Sequence, residues 1–172
     1  MEVKVFNSSL NELPKYETSG AAGLDVRADF SRVQSPSDIK IYGSGQLLYV
    51  NEVNKVKMLA LEPGSRALIP TGLHVATPKG YEIQVRPRSG LALKEGVTVL
   101  NTPGCVDSDY RGEIGVILIN HGQYTVYIED KERIGQLMLN KIEPIEWSEV
   151  VSKDDLGRTQ RGEGGFNSTG KN

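Results

Sequence analysis

Apolar and polar positions alternate along this chain in short runs, the period of half-buried strands rather than of helices. Val3 and Val5, with Leu10 beyond them, begin a first strand. Leu24, Val26 and Ala28 alternate with Asp25 and Arg27, so one strand face carries an acid and a base; read alone, it is an ordinary exposed face. Residues 66–69 and 73–76 read as two strands around a Pro70-Thr71-Gly72 turn. Tyr81, Ile83 and Val85 alternate with Glu82, Gln84 and Arg86 in another. Apolar runs at 97–100 and 114–119 flank a polar stretch from Asn101 to Glu113, broken by Pro103-Gly104 and Arg111-Gly112. That is a hairpin with buried strands and an exposed tip. Residues 124–128 form a strand of period two, 129–132 a charged turn, and 133–139 a further strand. In that strand Arg133 and Gln136 share a face only if Gly135 marks a bulge. Trp147, past the Pro144 breaker, is expected in the core.

One helix interrupts the strands. Ser89 reads as its N-cap, Leu91 to Glu95 as one or two turns, and Gly96 as the stop. Unpaired amides and the positive dipole end at a helix start attract phosphate, and Arg86 and Arg88 stand just upstream. The same arrangement also occurs with no ligand. Residues 31–58 carry loop signals at Ser35-Pro36-Ser37 and Tyr42-Gly43-Ser44-Gly45 around a short apolar run, and read as an extra hairpin or excursion. From Lys153 onward the chain is nearly all polar, and is expected to be disordered alone. Yet it holds glycines, Arg161, a lone aromatic at Phe166, and the hydroxyls of Ser168 and Thr169, the elements of a lid.

Composition narrows the chemistry. At 172 residues the chain suits one domain with a real core, and its 19 glycines and 8 prolines favour short strands and tight turns. A net charge of -2 supplies no global field for nucleic acid, so polyanions must be met by local arginines. The one cysteine, Cys105, excludes an internal disulfide and a cysteine-cluster metal site; it reads as a small packing residue in a reducing compartment. No apolar run approaches ~18 residues, and the N-terminus lacks a signal-peptide core, so the expectation is a soluble, cytoplasmic protein without a membrane partner. His74 reads as an outward spacer and His121 as a turn residue, with no third ligand near for zinc.

Chemistry concentrates at the polar tip, where Asp107 and Asp109 flank Ser108 with Tyr110 adjacent. Two readings stand for it alone. A carboxylate on a rigid tip shielded by an aromatic ring can act as a general base. Equally, Asp107 or Asp109 can bond its own backbone in a solvated turn.

The combination is more specific than its parts. Ala22-Gly23-Leu24-Asp25-Val26, Arg88-Ser89-Gly90, Asn101 through Glu113, Arg133-Ile134-Gly135-Gln136-Leu137 and Arg161 through Gly170 resemble, in order, the five motifs of the trimeric deoxyuridine triphosphatases (dUTPases). The resemblance covers about Gly20 to Gly170. It implies a mainly β, jelly-roll-like β-barrel with one short helix over 1–152, and a flexible C-terminal arm over 153–172 that closes the active site. It also implies a homotrimer with sites shared between subunits, hydrolysing dUTP to dUMP and pyrophosphate with Mg2+. Such an activity limits uracil in DNA and supplies dUMP for dTMP synthesis.

Residue by residue, the resemblance implies that Asp107 activates the water attacking the α-phosphorus. The hairpin backbone, including Gly104 and Val106 with Asn101 at the edge, would hold uracil, and Tyr110 would pack under the deoxyribose. Arg88, Ser89, Gly90 and Gln136 would bind phosphates, with Arg133 in the substrate site, while Asp25 would reach the magnesium through water. From the arm, Arg161 would meet the γ-phosphate, Phe166 the uracil, and Ser168 and Thr169 phosphate oxygens. Asn167 stands where the family commonly has glycine, Gly135 where alanine is common, and Cys105 where a small residue such as threonine is usual. The 31–58 segment exceeds the usual spacing and is either an inert surface hairpin or a docking surface for a protein partner. Two rivals remain: a deoxycytidine triphosphate deaminase, which shares the fold, and a nucleotide-sensing module that kept the pocket.

Overall fold

The β-branched and aliphatic runs form strands, as their alternation requires. A computed structural model describes residues 1–49 and 57–165. Its strands are β1 (Lys4–Asn7), β2 (Leu24–Arg27), β3 (Ile41–Tyr42), β4 (Gly45–Tyr49), β5 (Lys57–Leu61) and β6 (Arg66–Ala76). They continue as β7 (Tyr81–Arg86), β8 (Val97–Val99), β9 (Gly104–Val106), β10 (Glu113–Asn120), β11 (Val126–Glu129) and β12 (Arg133–Lys141). One α-helix, α1 (Ser89–Glu95), lies between β7 and β8. The mainly β, one-helix expectation holds. The strands form three antiparallel sheets rather than one closed barrel: β1-β6-β10-β8 with β3 on β6, β11-β5-β4, and β2-β12-β7-β9.

The chain falls into two compact units, Met1–Ile142 and Glu143–Asn172. Every buried core hydrophobic among the described residues lies between Val26 and Leu137, with Phe30, Leu59, Leu61, Ile69, Ile114, Leu118, Ile128 and Ile134 fully enclosed. In the second unit, Ser152 caps a short 3-10 turn, Lys153–Leu156, in a capping box with Asp155. Trp147 is 88% exposed rather than in the core, because its stretch joins no sheet. Among the described residues no helix is long and apolar enough to cross a membrane.

Several local expectations change. Leu10 lies outside β1 and is exposed. Residues 66–76 form one strand, not two around a turn. Glu113 Oε1 accepts the amides of Thr71 and Gly72 at 3.0 and 2.7 Å, which satisfies the donors a bend would otherwise have to pair. The strand carries on through a bulge, four residues of β6 passing against two of β10, with Gly72 at φ 71° taking the local bend. The 31–58 segment is no wholly superficial hairpin either: Val33 and Ile39 are buried, β3 pairs with β6, and β4 pairs with β5. Its residues 50–56 lie outside those described.

Asn120 joins two sheets from inside the core and is fully buried. Its Nδ2 donates to the carbonyls of Leu61 and Tyr124, both at 2.8 Å, and its Oδ1 accepts the Gly122 amide at 2.8 Å. Asn120→Ala orphans these groups and should cost about 2–4 kcal/mol of stability, read from the shift in denaturant midpoint.

Candidate active site

The predicted hairpin exists, but its tip is more than a turn. β8 pairs with β10 through Val99↔Leu118 and Val97↔Asn120, and the connecting chain crosses to a different sheet, where β9 pairs with β7. Gly104 and Val106 are buried on that strand, and Asn101 is exposed at its entrance. Beyond β9 the loop braces itself. The Tyr110 amide donates to the Asp107 carbonyl at 3.2 Å, and Tyr110 Oη to the Glu113 carbonyl at 3.0 Å. Arg111 Nη1 donates to the carbonyls of Ser108 and Tyr110 at 2.8 and 2.7 Å. The Tyr110 ring lies close over Gly112, where a Cβ would fall 2.3 Å from the phenol oxygen and would have to push the ring aside. Glu113 anchors the loop's far end, its Oε1 also meeting Arg32 Nη2 at 2.7 Å while Arg32 Nε holds buried Asp29 at 2.8 Å. The side chains of Asp107, Asp109 and Tyr110 therefore project into solvent from a rigid support.

Cys105 is exposed rather than packed, because it occupies the outward position of β9 between buried Gly104 and Val106. Its Sγ donates to Glu82 Oε2 at 2.7 Å and lies 3.4 Å from Asp107 Oδ1. The Glu82 carboxylate, partial burial and then Asp107 push the thiol pKa up to about 12, so it remains a neutral donor and not a nucleophile. An open cleft of about 780 Å³ runs past Cys105, Asp107 and Asp109.

A second cluster sits at the other end of the same sheet. Two residues of β12 pass against one of β2 at Gly135, the bulge that lets Arg133 and Gln136 face the same way. Arg133 Nη1 donates to Asp25 Oδ2 at 3.0 Å and Gln136 Nε2 to Asp25 Oδ1 at 3.1 Å. Arg88 Nε lies 3.8 Å from Asp25, and its Nη1 donates to the Arg133 carbonyl at 2.8 Å. Burial alone would raise the Asp25 pKa, but the bonds from Arg133 and Gln136, with the Arg88 and Arg133 charges, outweigh it and hold the carboxyl low. A folded-state pKa below the ordinary 3.8 stabilises the fold above that value, and the contribution is lost as pH falls through the lowered one. Asp25→Asn should accordingly flatten the acid side of a melting-temperature profile taken from pH 6 to 2.

The helix start differs from expectation. Arg88, in extended conformation, is the N-cap with no side-chain cap bond, and Ser89 is the first helical residue; Gly96, at φ 71°, is the stop as read. Ser89 and Gly90 are exposed. Arg86 is committed elsewhere: its Nε and Nη2 donate to Gln84 Oε1 at 2.9 and 2.6 Å. Among the described residues no group of three or more His, Cys, Asp or Glu could hold a metal directly. Arg161, in the second unit, donates through Nε to the Gly164 carbonyl at 2.7 Å. Phe166, Ser168 and Thr169 lie outside the described residues.

Within one chain the two clusters do not meet. Arg86 stands opposite Gln136 on β7, whereas Val106, next to Asp107, stands opposite Ile83 near the far end of that strand. From Glu82 to Arg86 is about 13 Å at the usual strand rise of about 3.3 Å per residue. Sequence reasoning missed the Glu82 and Gln84 partners; their outward alternation was legible, but the strand opposite them was not.

Known proteins match these features over nearly the full chain. The dUTPase family model matches residues 51–170. A deoxyuridine 5'-triphosphate nucleotidohydrolase of Fusobacterium nucleatum is 50% identical over 171 residues, 99% of this chain and 98% of the relative. One from Chlamydia pneumoniae is 50% identical over 92% of this chain and 91% of its own length. Among solved structures, a Gly-to-Ser point mutant of a Staphylococcus bacteriophage 80alpha dUTPase with dUpNHpp superposes with a TM-score of 0.72 at 21% identity, covering 98% of both chains. An Asp-to-Asn point mutant of the dUTPase of phage phi11 of S. aureus, described with a structural Mg(II) ion, gives a TM-score of 0.65 at 19% identity over 90% of this chain and 99% of its own. The chain belongs to the dUTPase family.

Proposed function

We propose that this protein hydrolyses dUTP to dUMP and pyrophosphate at sites assembled between copies of the chain in a homotrimer. The activity rests on the 50% identity to deoxyuridine triphosphate nucleotidohydrolases over essentially the whole length. The shared site rests on the spacing across β7. A base acting at the α-phosphorus and side chains gripping the same phosphates must lie within a few ångströms of one another, and in one chain Asp107 and the Asp25 cluster lie at opposite ends of the strand.

Asp107 takes a proton from water as its oxygen attacks the α-phosphorus. The bond from that phosphorus to the bridging oxygen breaks, and pyrophosphate leaves. The backbone around Gly104 and Val106, with Asn101, holds uracil. A buried polar group mismatched by a cytosine edge costs about 1–3 kcal/mol. Tyr110 lies beneath the sugar and leaves no room for a 2'-hydroxyl. From another copy, Arg88, Ser89, Gly90, Arg133 and Gln136 bind phosphate oxygens, since hydrolysis of a triphosphate depends mainly on position and charge stabilisation. The arm brings Arg161 to the γ-phosphate, Phe166 to the base, and Ser168 and Thr169 to phosphate oxygens.

Asp25 fits an indirect role towards Mg2+. A single carboxylate already meeting Arg133 and Gln136 keeps lone pairs for metal-bound water but makes no inner-sphere cage. Bound Mg2+ supplies charge neutralisation on the triphosphate.

Pyrophosphate release measured across dUTP, dTTP, dCTP and UTP tests this reading. Turnover of dUTP alone is expected. Ammonia from dCTP would instead identify a deaminase, and binding without turnover a sensor.

A further inference from the structure

The outward face of β7 carries a hydrogen-bonded row that the reaction scheme above leaves unused. Arg86 donates twice to Gln84 Oε1, Gln84 Nε2 donates to Glu82 Oε1 at 2.7 Å, and Cys105 Sγ donates to Glu82 Oε2 at 2.7 Å. The row ends 3.4 Å from Asp107 Oδ1. Each link fixes the next. The two guanidinium donors orient the Gln84 amide so that its nitrogen must face Glu82, and Glu82 can then only accept from the thiol. Arg86, Gln84 and Glu82 project from alternate positions of one rigid strand, and Cys105 stands opposite Gln84 on the adjacent one.

We propose that this row, ending in Glu82 and Cys105, positions the Asp107 carboxylate for proton abstraction. The inference rests on Asp107 being the base. The Cys105 thiol and the Glu82 carboxylate are positioning groups that act through Asp107, apart from the β9 backbone proposed to hold uracil. The thiol suits the task because it both donates and accepts weakly. While Asp107 is ionised, the single thiol proton bonds mainly to Glu82 Oε2 at 2.7 Å and is shared only weakly with Oδ1 at 3.4 Å. Once Asp107 has taken the proton from water, its new hydroxyl can donate to the sulfur lone pairs, while the thiol proton stays on Glu82. No proton passes beyond Asp107, and the thiol remains neutral throughout. The Glu82 carboxyl is held below its ordinary pKa by the bonds from Cys105 and Gln84 and by the Arg86 charge, against a small opposing effect of burial. It thus stays an acceptor over the working range. The row gives a reason for a polar, exposed residue at position 105, where side-chain packing plays no part.

Steady-state kinetics of full-length variants on dUTP provide the test. Cys105→Ala and Glu82→Gln should each lower kcat about three- to tenfold, the worth of one oriented hydrogen bond, with KM within about twofold. Cys105→Ser, which keeps a donor and acceptor, should recover most of the loss. Melting temperatures recorded in parallel show that each variant is folded. The inference is overturned if both Cys105→Ala and Glu82→Gln keep wild-type kcat, or if KM moves as much as kcat. It is also overturned if Cys105→Ser is no better than Cys105→Ala. Asp107→Asn assayed alongside separates the two claims. If that variant is inactive while Cys105→Ala is unimpaired, only the positioning row falls; if Asp107→Asn turns over normally, the base assignment falls and takes the row with it.

Discussion

Asp107→Asn should lower kcat for dUTP hydrolysis by about 10²–10⁴-fold, the usual contribution of a positioned general base. The substitution keeps size and hydrogen-bonding reach while removing the ability to take a proton. Asp107 is exposed, and the loop is held by bonds that spare its carboxylate: the Tyr110 amide to the Asp107 carbonyl, Tyr110 Oη to the Glu113 carbonyl, and Arg111 to Ser108 and Tyr110. Neither fold nor dUTP affinity should therefore change much. Pyrophosphate release gives kcat, calorimetric titration gives affinity, and a thermal melt reports the fold. Undiminished turnover would remove Asp107 from the chemistry.

Removing residues 161–172 should abolish most turnover, by about 10²-fold or more, because ordering a closing segment both excludes water and positions phosphates. The same truncation should leave the melting temperature within a few degrees. Every buried core hydrophobic among the described residues lies before Ile142, and the bonds of Arg161 and Glu163 are to neighbours in their own unit. Circular dichroism melts and sedimentation would follow fold and assembly. A truncated chain that failed to fold would make the tail structural and remove the argument for a lid.

Much of the fold was legible in the pattern of side chains. Period-two alternation located β2, β7 and β11, and the stop at Gly96 ended α1 where the glycine said it would. The Gly135 bulge could be posed as a condition, since Arg133 and Gln136 are an odd number of residues apart; the register with β2 satisfied it. Errors came where local signals met distant partners. Pro70-Thr71-Gly72 has the composition of a turn, but Glu113, more than forty residues away, accepts the two amides that follow Pro70. Ser89 is the better intrinsic cap, yet Arg88 takes the position as its guanidinium reaches the Arg133 carbonyl and Asp25. Trp147 was expected inside on hydrophobicity alone, a preference that cannot act on a stretch outside every sheet.

The sequence alone determined the elements and the chemical inventory: short alternating strands, one small helix, and an acid-bearing loop beside arginines in a recognisable order. Those depend on each residue's own period, conformational freedom and charge. Only the tertiary structure decided which side chains meet. Strand pairing placed Cys105 opposite Gln84, within reach of Glu82, and gathered Asp25, Arg88, Arg133 and Gln136, while leaving Asp107 at the other end of β7. The reason is that register is chosen by burying one face of each strand against partners far away in sequence, and the polar face follows wherever that choice places it.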